Sequence, residues 1–206
     1  MAVSTYVERY RDWRYNAFEW RNELSVPRKI ALALGMACLT GLLAQVRIPL
    51  GFTPVPITGQ NFAVLASGVM LGSWFGALSM VLYLAIGACG VPWFQGGEGG
   101  WQYLAHSPTL GYLFAFVVVA FFIGRLTERH VSLRGFWGQL WLMLSGMILI
   151  LVIGASYLAV TLHTGFEETM RMGVLPFLAG DALKAALVAA AAAAILPKES
   201  QREDRR

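Results

Sequence analysis

Residues 173–196 read GVLPFLAGDALKAALVAAAAAAIL. A helix rises ~1.5 Å per residue, so roughly 20 apolar residues cross the hydrocarbon of a bilayer, and this stretch is long enough. Its only ionisable residues are Asp181 and Lys184. A charge at the centre of a membrane helix costs about 2.5–3.5 kcal/mol on insertion scales. Such residues persist when they pair, line a cavity or bind something. At a spacing of three they share one helix face. They read either as an ion pair that neutralises itself or as the polar part of a site for a small molecule. The second reading is preferred, because a buried pair is weak evidence for stability alone.

The rest of the chain agrees with a membrane setting. Of its 206 residues 57% are hydrophobic and 14% charged, which places it among integral membrane proteins. Apolar runs predict spans at 28–46, 57–72, 73–90, 109–128, 136–160 and 174–196. The expected fold is an all-α membrane protein, a six-transmembrane-helix bundle. The second and third spans are short and meet at Gly72-Ser73, so a tilt or break is expected there, as in transporter helices that border binding sites. Residues 1–25 form an N-terminal arm, 26–197 the membrane domain and 198–206 a charged tail. Lys and Arg crowd the arm (Arg9, Arg11, Arg14, Arg21, Arg28, Lys29), the loop between spans four and five (Arg125, Arg129, Arg134) and the tail (Lys198, Arg202, Arg205, Arg206). By the positive-inside rule both termini are cytoplasmic. The charged, aromatic first 25 residues do not read as a signal peptide.

Several function classes fall away. The net charge of +4 reflects loop cations rather than a nucleic-acid surface. Cys38 and Cys89 fall within apolar spans without a Cys-x-x-Cys, and His106, His130 and His163 lack ligand spacing, so neither a disulfide nor a metal site is expected. No Ser-His-Asp set, His-Glu-x-x-His or carboxylate dyad argues for catalysis, and no Walker motif for ATP binding. In the arm, Val3, Tyr6, Tyr10, Trp13, Ala17, Trp20 and Leu24 recur at spacings of three and four. That makes an amphipathic helix suited to the inner leaflet, or a docking helix for a cytoplasmic partner.

Two outer loops stand out. RIPLGFTPVPIT (47–58) carries three prolines, which fix the backbone and remove amide donors. Rigid non-helical backbone at membrane depth is tolerated where it packs in protein or lines a cavity, and Thr53 and Thr58 offer hydroxyls there. VPWFQGGEGGW (91–101) places four glycines in five residues, so a flexible lid is expected, with Trp93, Phe94 and Trp101 able to cover a ligand. In span one, Ala31/Gly35 and Ala33/Ala37/Gly41 form small-residue rows that allow close helix approach. From spacing alone, internal packing is the stronger reading of those rows.

RIPLGFTPVPIT, GVPWFQGGEGG, SPTLGYL and VLPFLAGDALKAAL together resemble the BioY family, the biotin-binding S components of energy-coupling-factor (ECF) transporters. The likeness covers roughly residues 28–196. It implies a six-helix S-component fold in a prokaryotic cell membrane, with biotin bound near the outer face. It implies polar contacts from Asp181 and Lys184, and a pocket lined or covered by Tyr112 and the outer loops, with Thr53, Thr58, Trp93, Phe94, Gln95 and Gly96 as candidates. It further implies that Ala33 and Ala37 lie on the surface meeting a transmembrane T component, and that ATP is used by two cytoplasmic partner ATPases. Three rivals carry different expectations: an S component for another vitamin, a membrane enzyme using Asp181 and Lys184 as acid and base, and a structural subunit that binds no ligand.

Overall fold

The computed structural model describes residues 2–198, without the side chains of 2–5 and 7. The side chain of Val3 and the tail from residue 199 therefore lie outside the described part. Eight α-helices run in the order α1 (Ala2–Glu23), α2 (Val26–Gln45), α3 (Gln60–Ala88), α4 (Trp101–His106), α5 (Leu110–Arg129), α6 (Phe136–Leu162), α7 (Phe166–Gly173) and α8 (Leu178–Ile195). Among the described residues, five helical stretches are long and apolar enough to cross a membrane: Val26–Gln45, Gln60–Ala88, Leu110–Arg129, Phe136–Leu162 and Phe166–Ile195.

Spans two and three of the sequence reading are both inside α3, and they are not collinear. Gly72 takes φ 79° and ψ −175°, a backbone region open essentially to glycine alone. Gln60 Nε2 donates to the Tyr83 hydroxyl at 2.7 Å. In a straight helix those residues would stand roughly 34 Å apart. The chain therefore reverses at Gly72, and the two halves of α3 lie side by side. Glycines make the contact close: a Cβ on Gly76 would stand 3.0 Å from Gly68 Cα. In lipid, helix association relies on this kind of packing rather than on hydrophobic burial. Leu65, Met80, Tyr83, Ile123, Met143, Ile150 and Leu158 fill the interior between α3, α5, α6 and α8.

Two further boundaries differ from expectation. The last span does not start at residue 174: Val174 breaks the helix (φ −130°, ψ −64°), Leu175–Phe177 form a single 3₁₀ turn, and α8 begins at Leu178. The proline-rich segment contains a minimal antiparallel ladder, β1 (Arg47–Ile48) on β2 (Ile57–Thr58), pairing Arg47 with Thr58 and Ile48 with Ile57. Cys38 and Cys89 are exposed rather than buried.

Helix α1 packs on the bundle chiefly through Arg14, Phe18, Arg21 and the buried Leu24. Tyr6, Tyr10, Trp13 and Trp20 remain exposed, whereas Arg14 is buried and Phe18 packs against the core. The Arg14 guanidinium donates to Ala193 O at 3.1 Å and the Tyr10 hydroxyl to Ala194 O at 2.5 Å, using carbonyls that the end of α8 leaves unpaired. Arg21 donates to Val69 O and faces Glu128 at 3.7 Å. Phe18 lies between two guanidiniums, with Arg21 4.4 Å and Arg134 4.7 Å from its ring centre. Burial lowers the Arg21 pKa, which Glu128 raises again and Arg134 lowers further.

Candidate functional site

At the end of the bundle away from α1, the N-terminal turns of α3, α5 and α8 converge beneath the two loops. Asp181 sits in the first turn of α8, where a carboxylate is favoured by the helix dipole. It is 2% exposed. Its Oδ1 accepts from Lys184 Nζ at 3.0 Å and from Asn61 Nδ2 at 3.2 Å. Its Oδ2 is buried and has no partner. A buried acceptor without a protein partner is costly, so this oxygen is available to a donor at the cavity wall.

Asp181 and Lys184 line a cavity together with Asn61, Gln60, Thr58, Gln95, Tyr103, Thr109 and Tyr112. Val55, Pro56, Phe94, Leu113, Phe116, Leu151 and Phe177 complete its apolar wall. The cavity volume is about 50 Å³. That holds a few waters at roughly 10–15 Å³ each, so a larger guest requires the side chains above it to move.

The polar groups are held by a chain of bonds. Thr58 Oγ1 donates to Gln60 Oε1 at 3.0 Å, and Gln60 in turn holds the Tyr83 hydroxyl. Tyr112 donates to Gly173 O at 2.8 Å, tying α5 to the break before α8. Its ring lies flat on α6 at Gly154, where a Cβ would collide with it. Gly154 is thus what lets Tyr112 reach the site.

The glycine loop folds back on itself. Phe94 N–H donates to Glu98 O at 2.9 Å, and Gly97 N–H to Phe94 O at 3.1 Å. Gly90, Gly96, Gly97 and Gly100 have positive φ, so the glycines shape a tight turn. Phe94 is 1% exposed and packs between Tyr83 and Tyr103, with ring centres 5.4 and 5.8 Å away. Trp93 donates its indole N–H to Tyr83 O at 3.0 Å and lies over Gly41 and Gly87. Gln45 Nε2 donates to Phe94 O at 3.0 Å and clips the loop to α2.

The structure thus brings Asp181, Lys184, Tyr112, Thr58, Phe94 and Gln95 to one cavity. It places Thr53, Trp93 and Gly96 elsewhere. The Thr53 hydroxyl is spent on Met172 O at 2.9 Å, Trp93 braces the back of the loop, and Gly96 lies against the Arg47 guanidinium. Trp101 is 69% exposed and does not line the cavity. Ala33 and Ala37 have no exposed area; they are not surface in this conformation, and the exposed small residues of α2 are Ala31 and Gly35. The sequence reading missed Gln60, Asn61, Tyr103, Thr109 and Phe177. Gln60 and Asn61 carried a usable signal, two amides opening an apolar span, whereas Tyr103 and Thr109 carried none. No group of three metal-ligating side chains occurs among the described residues.

Comparison with known proteins gives concordant matches. The family model described as the BioY family matches residues 16–201, so the likeness extends into the arm beyond the motifs of 28–196. A biotin transporter BioY of Rhizobium etli is 35% identical over 174 residues, covering 81% of this chain and 91% of that protein. A probable biotin transporter BioY of Methanothermobacter thermautotrophicus is 41% identical over 145 residues, covering 67% and 92%. The crystal structure of the S-component for biotin from an ECF-type ABC transporter superposes with a TM-score of 0.74 at 26% identity, over 82% of this chain and 93% of that one.

Proposed function

Because the chain belongs to the BioY family, we propose that it is the biotin-capturing S component of an ECF-type uptake system. It is a transport subunit of a membrane, not an enzyme. The observation that carries the site assignment is the buried, unpartnered Oδ2 of Asp181 at the cavity wall. Biotin presents two ureido N–H donors, a ureido carbonyl, an apolar thioether ring and a valerate carboxylate. Asp181 Oδ2 takes a ureido N–H. Lys184 serves the ureido carbonyl or the valerate, and Asn61 and Thr58 complete the polar shell. Phe94 and Gln95 move aside for entry and close over the ring.

The same reading supplies the membrane arrangement. The reversal at Gly72 makes two short crossings of α3, giving six passes with both termini cytoplasmic, and the Lys and Arg bias supports that orientation. Biotin then enters from the outer face. A transmembrane T component and two cytoplasmic ATPases, which use ATP, drive its release inward. Ala33 and Ala37 reach a T component only if α2 shifts; Ala31 and Gly35 are the accessible row.

Calorimetric titration of the ligand-stripped protein with biotin tests this. Saturable binding that weakens in Asp181→Ala supports both ligand and site. Folded protein that ignores biotin but binds another vitamin would reassign the substrate.

A further inference from the structure

Two cavities at the opposite end of the bundle meet at Arg21, Leu32 and Leu71. The first, about 210 Å³, is lined by Arg21, Lys29, Arg125, Asn22, Ser73 and Glu128. Its three cations face one carboxylate, and Glu128 is already engaged by the Ser73 hydroxyl at 2.8 Å and by Arg21. Arg125 has no hydrogen bond or ion pair among the described residues. The second cavity, about 360 Å³, runs as a groove between α1, α2, the first half of α3 and the end of α8. Met36, Leu39, Phe62, Met70, Val188 and Ile195 line it, and among the described residues Arg21 is its only ionisable wall residue.

A cationic pocket therefore opens directly into an apolar groove, at the level where α2 begins and α5 ends. Trp20 beside the groove and Trp74 beside the pocket are both exposed, as indoles at the water–hydrocarbon boundary are. We propose that an anionic phospholipid occupies this junction, its phosphate between Lys29 and Arg125 beside Arg21, and one acyl chain along the groove. A helix of a partner subunit would also cover apolar surface. A lipid brings, besides its acyl chain, a phosphate that neutralises the net-positive pocket at the mouth of the groove, which favours it over an apolar helix.

The test uses the full chain in uncharged detergent, delipidated and given phosphatidylglycerol or phosphatidylcholine, with bound lipid counted by native mass spectrometry. The expected preference for phosphatidylglycerol is roughly tenfold to thirtyfold, from two net cations. The Lys29→Gln/Arg125→Gln variant, which leaves Arg21 to hold α1, should bring the two lipids close to parity. Ala191→Trp fills the groove from its rim without changing charge and should lower occupancy by either lipid. Biotin titration of each variant reports folding, since the biotin cavity lies at the other end. Equal retention of both lipids by the wild type would overturn the proposal, as would a preference that survives loss of the two cations. Displacement of the lipid by soluble glycerol phosphate at equal concentration would mean that phosphate alone is read. Loss of partner subunits in Ala191→Trp with lipid retention unchanged would assign the groove to a protein helix.

Discussion

Asp181→Ala should separate two roles that one residue combines. Asp181 Oδ1 holds Lys184 Nζ at 3.0 Å, and Oδ2 stands free for a ligand. Losing a hydrogen bond to a charged acceptor costs about 1.5–3 kcal/mol, so biotin should bind roughly 10- to 150-fold more weakly. Removing one partner of a buried pair costs about 3–5 kcal/mol of stability. The Lys184 side chain is 17% exposed, so the lower end of that range applies here. Poor binding by the single variant could therefore reflect a strained pocket. Asp181→Ala/Lys184→Met removes both charges and leaves no buried cation unpaired, and Lys184→Met measured beside it gives the share of the loss that belongs to the Lys184 contact. Thermal melting should show much of the lost stability restored, while calorimetry still shows weak binding. If the double variant binds biotin like the wild type, Asp181 is only a counter-ion for Lys184 and the ligand contact assigned to Oδ2 does not exist.

Three other substitutions probe the supports of the site. Gly154→Ala puts a methyl group into the Tyr112 ring, so it should cost about 1–3 kcal/mol by overpacking and weaken biotin binding as Tyr112 is displaced; melting and calorimetry together read both effects. Phe94→Ala removes the wall between Tyr83 and Tyr103 and should raise the dissociation rate of biotin more than the association rate, which stopped-flow exchange with labelled biotin measures. Gly72→Ala forces an alanine into a glycine-only conformation and against Glu128, so it should lower stability by at least about 1–3 kcal/mol. Because Gly72 is at the far end, unchanged biotin affinity in the folded fraction is expected, and a selective loss of affinity would contradict that placement.

The parts of this protein that could be read without coordinates are those where polarity contradicts its surroundings. Asp181 and Lys184 stand out in an alanine-rich run, and the prolines of 54–56 forbid plain helix. Gln60 and Asn61 carry the same signal more faintly, because amides at the start of a span also read as ordinary boundary residues. Conformation at Gly72 was legible only as a weak point. Whether a glycine bends a helix or reverses it depends on Gly68, Gly76 and Gly124 packing against each other's backbones, and those contacts are long-range.

Which face of each helix points inward was the least legible feature, for a physical reason. A soluble helix announces its inner face by polarity, whereas a helix in lipid is apolar on every side. Ala33/Ala37 and Ala31/Gly35 are therefore equivalent as strings of letters; only packing buries the first row and exposes the second. The aromatic loop shows the same limit. Glycines near Trp93 and Phe94 suggested freedom, yet Gly41 and Gly87, distant in sequence, provide the flat helix surface that receives Trp93, and Gly87 also makes room for Phe94. In α1 the sequence left its aromatic stripe to the inner leaflet or to a cytoplasmic partner, and the exposed Tyr6, Trp13 and Trp20 are compatible with either use. What the sequence did not announce is the contact of α1 with the bundle, where the partners include helix-end carbonyls. Arg14 and Arg21 satisfy those carbonyls, and Tyr6, Trp13 and Trp20 are left facing outward.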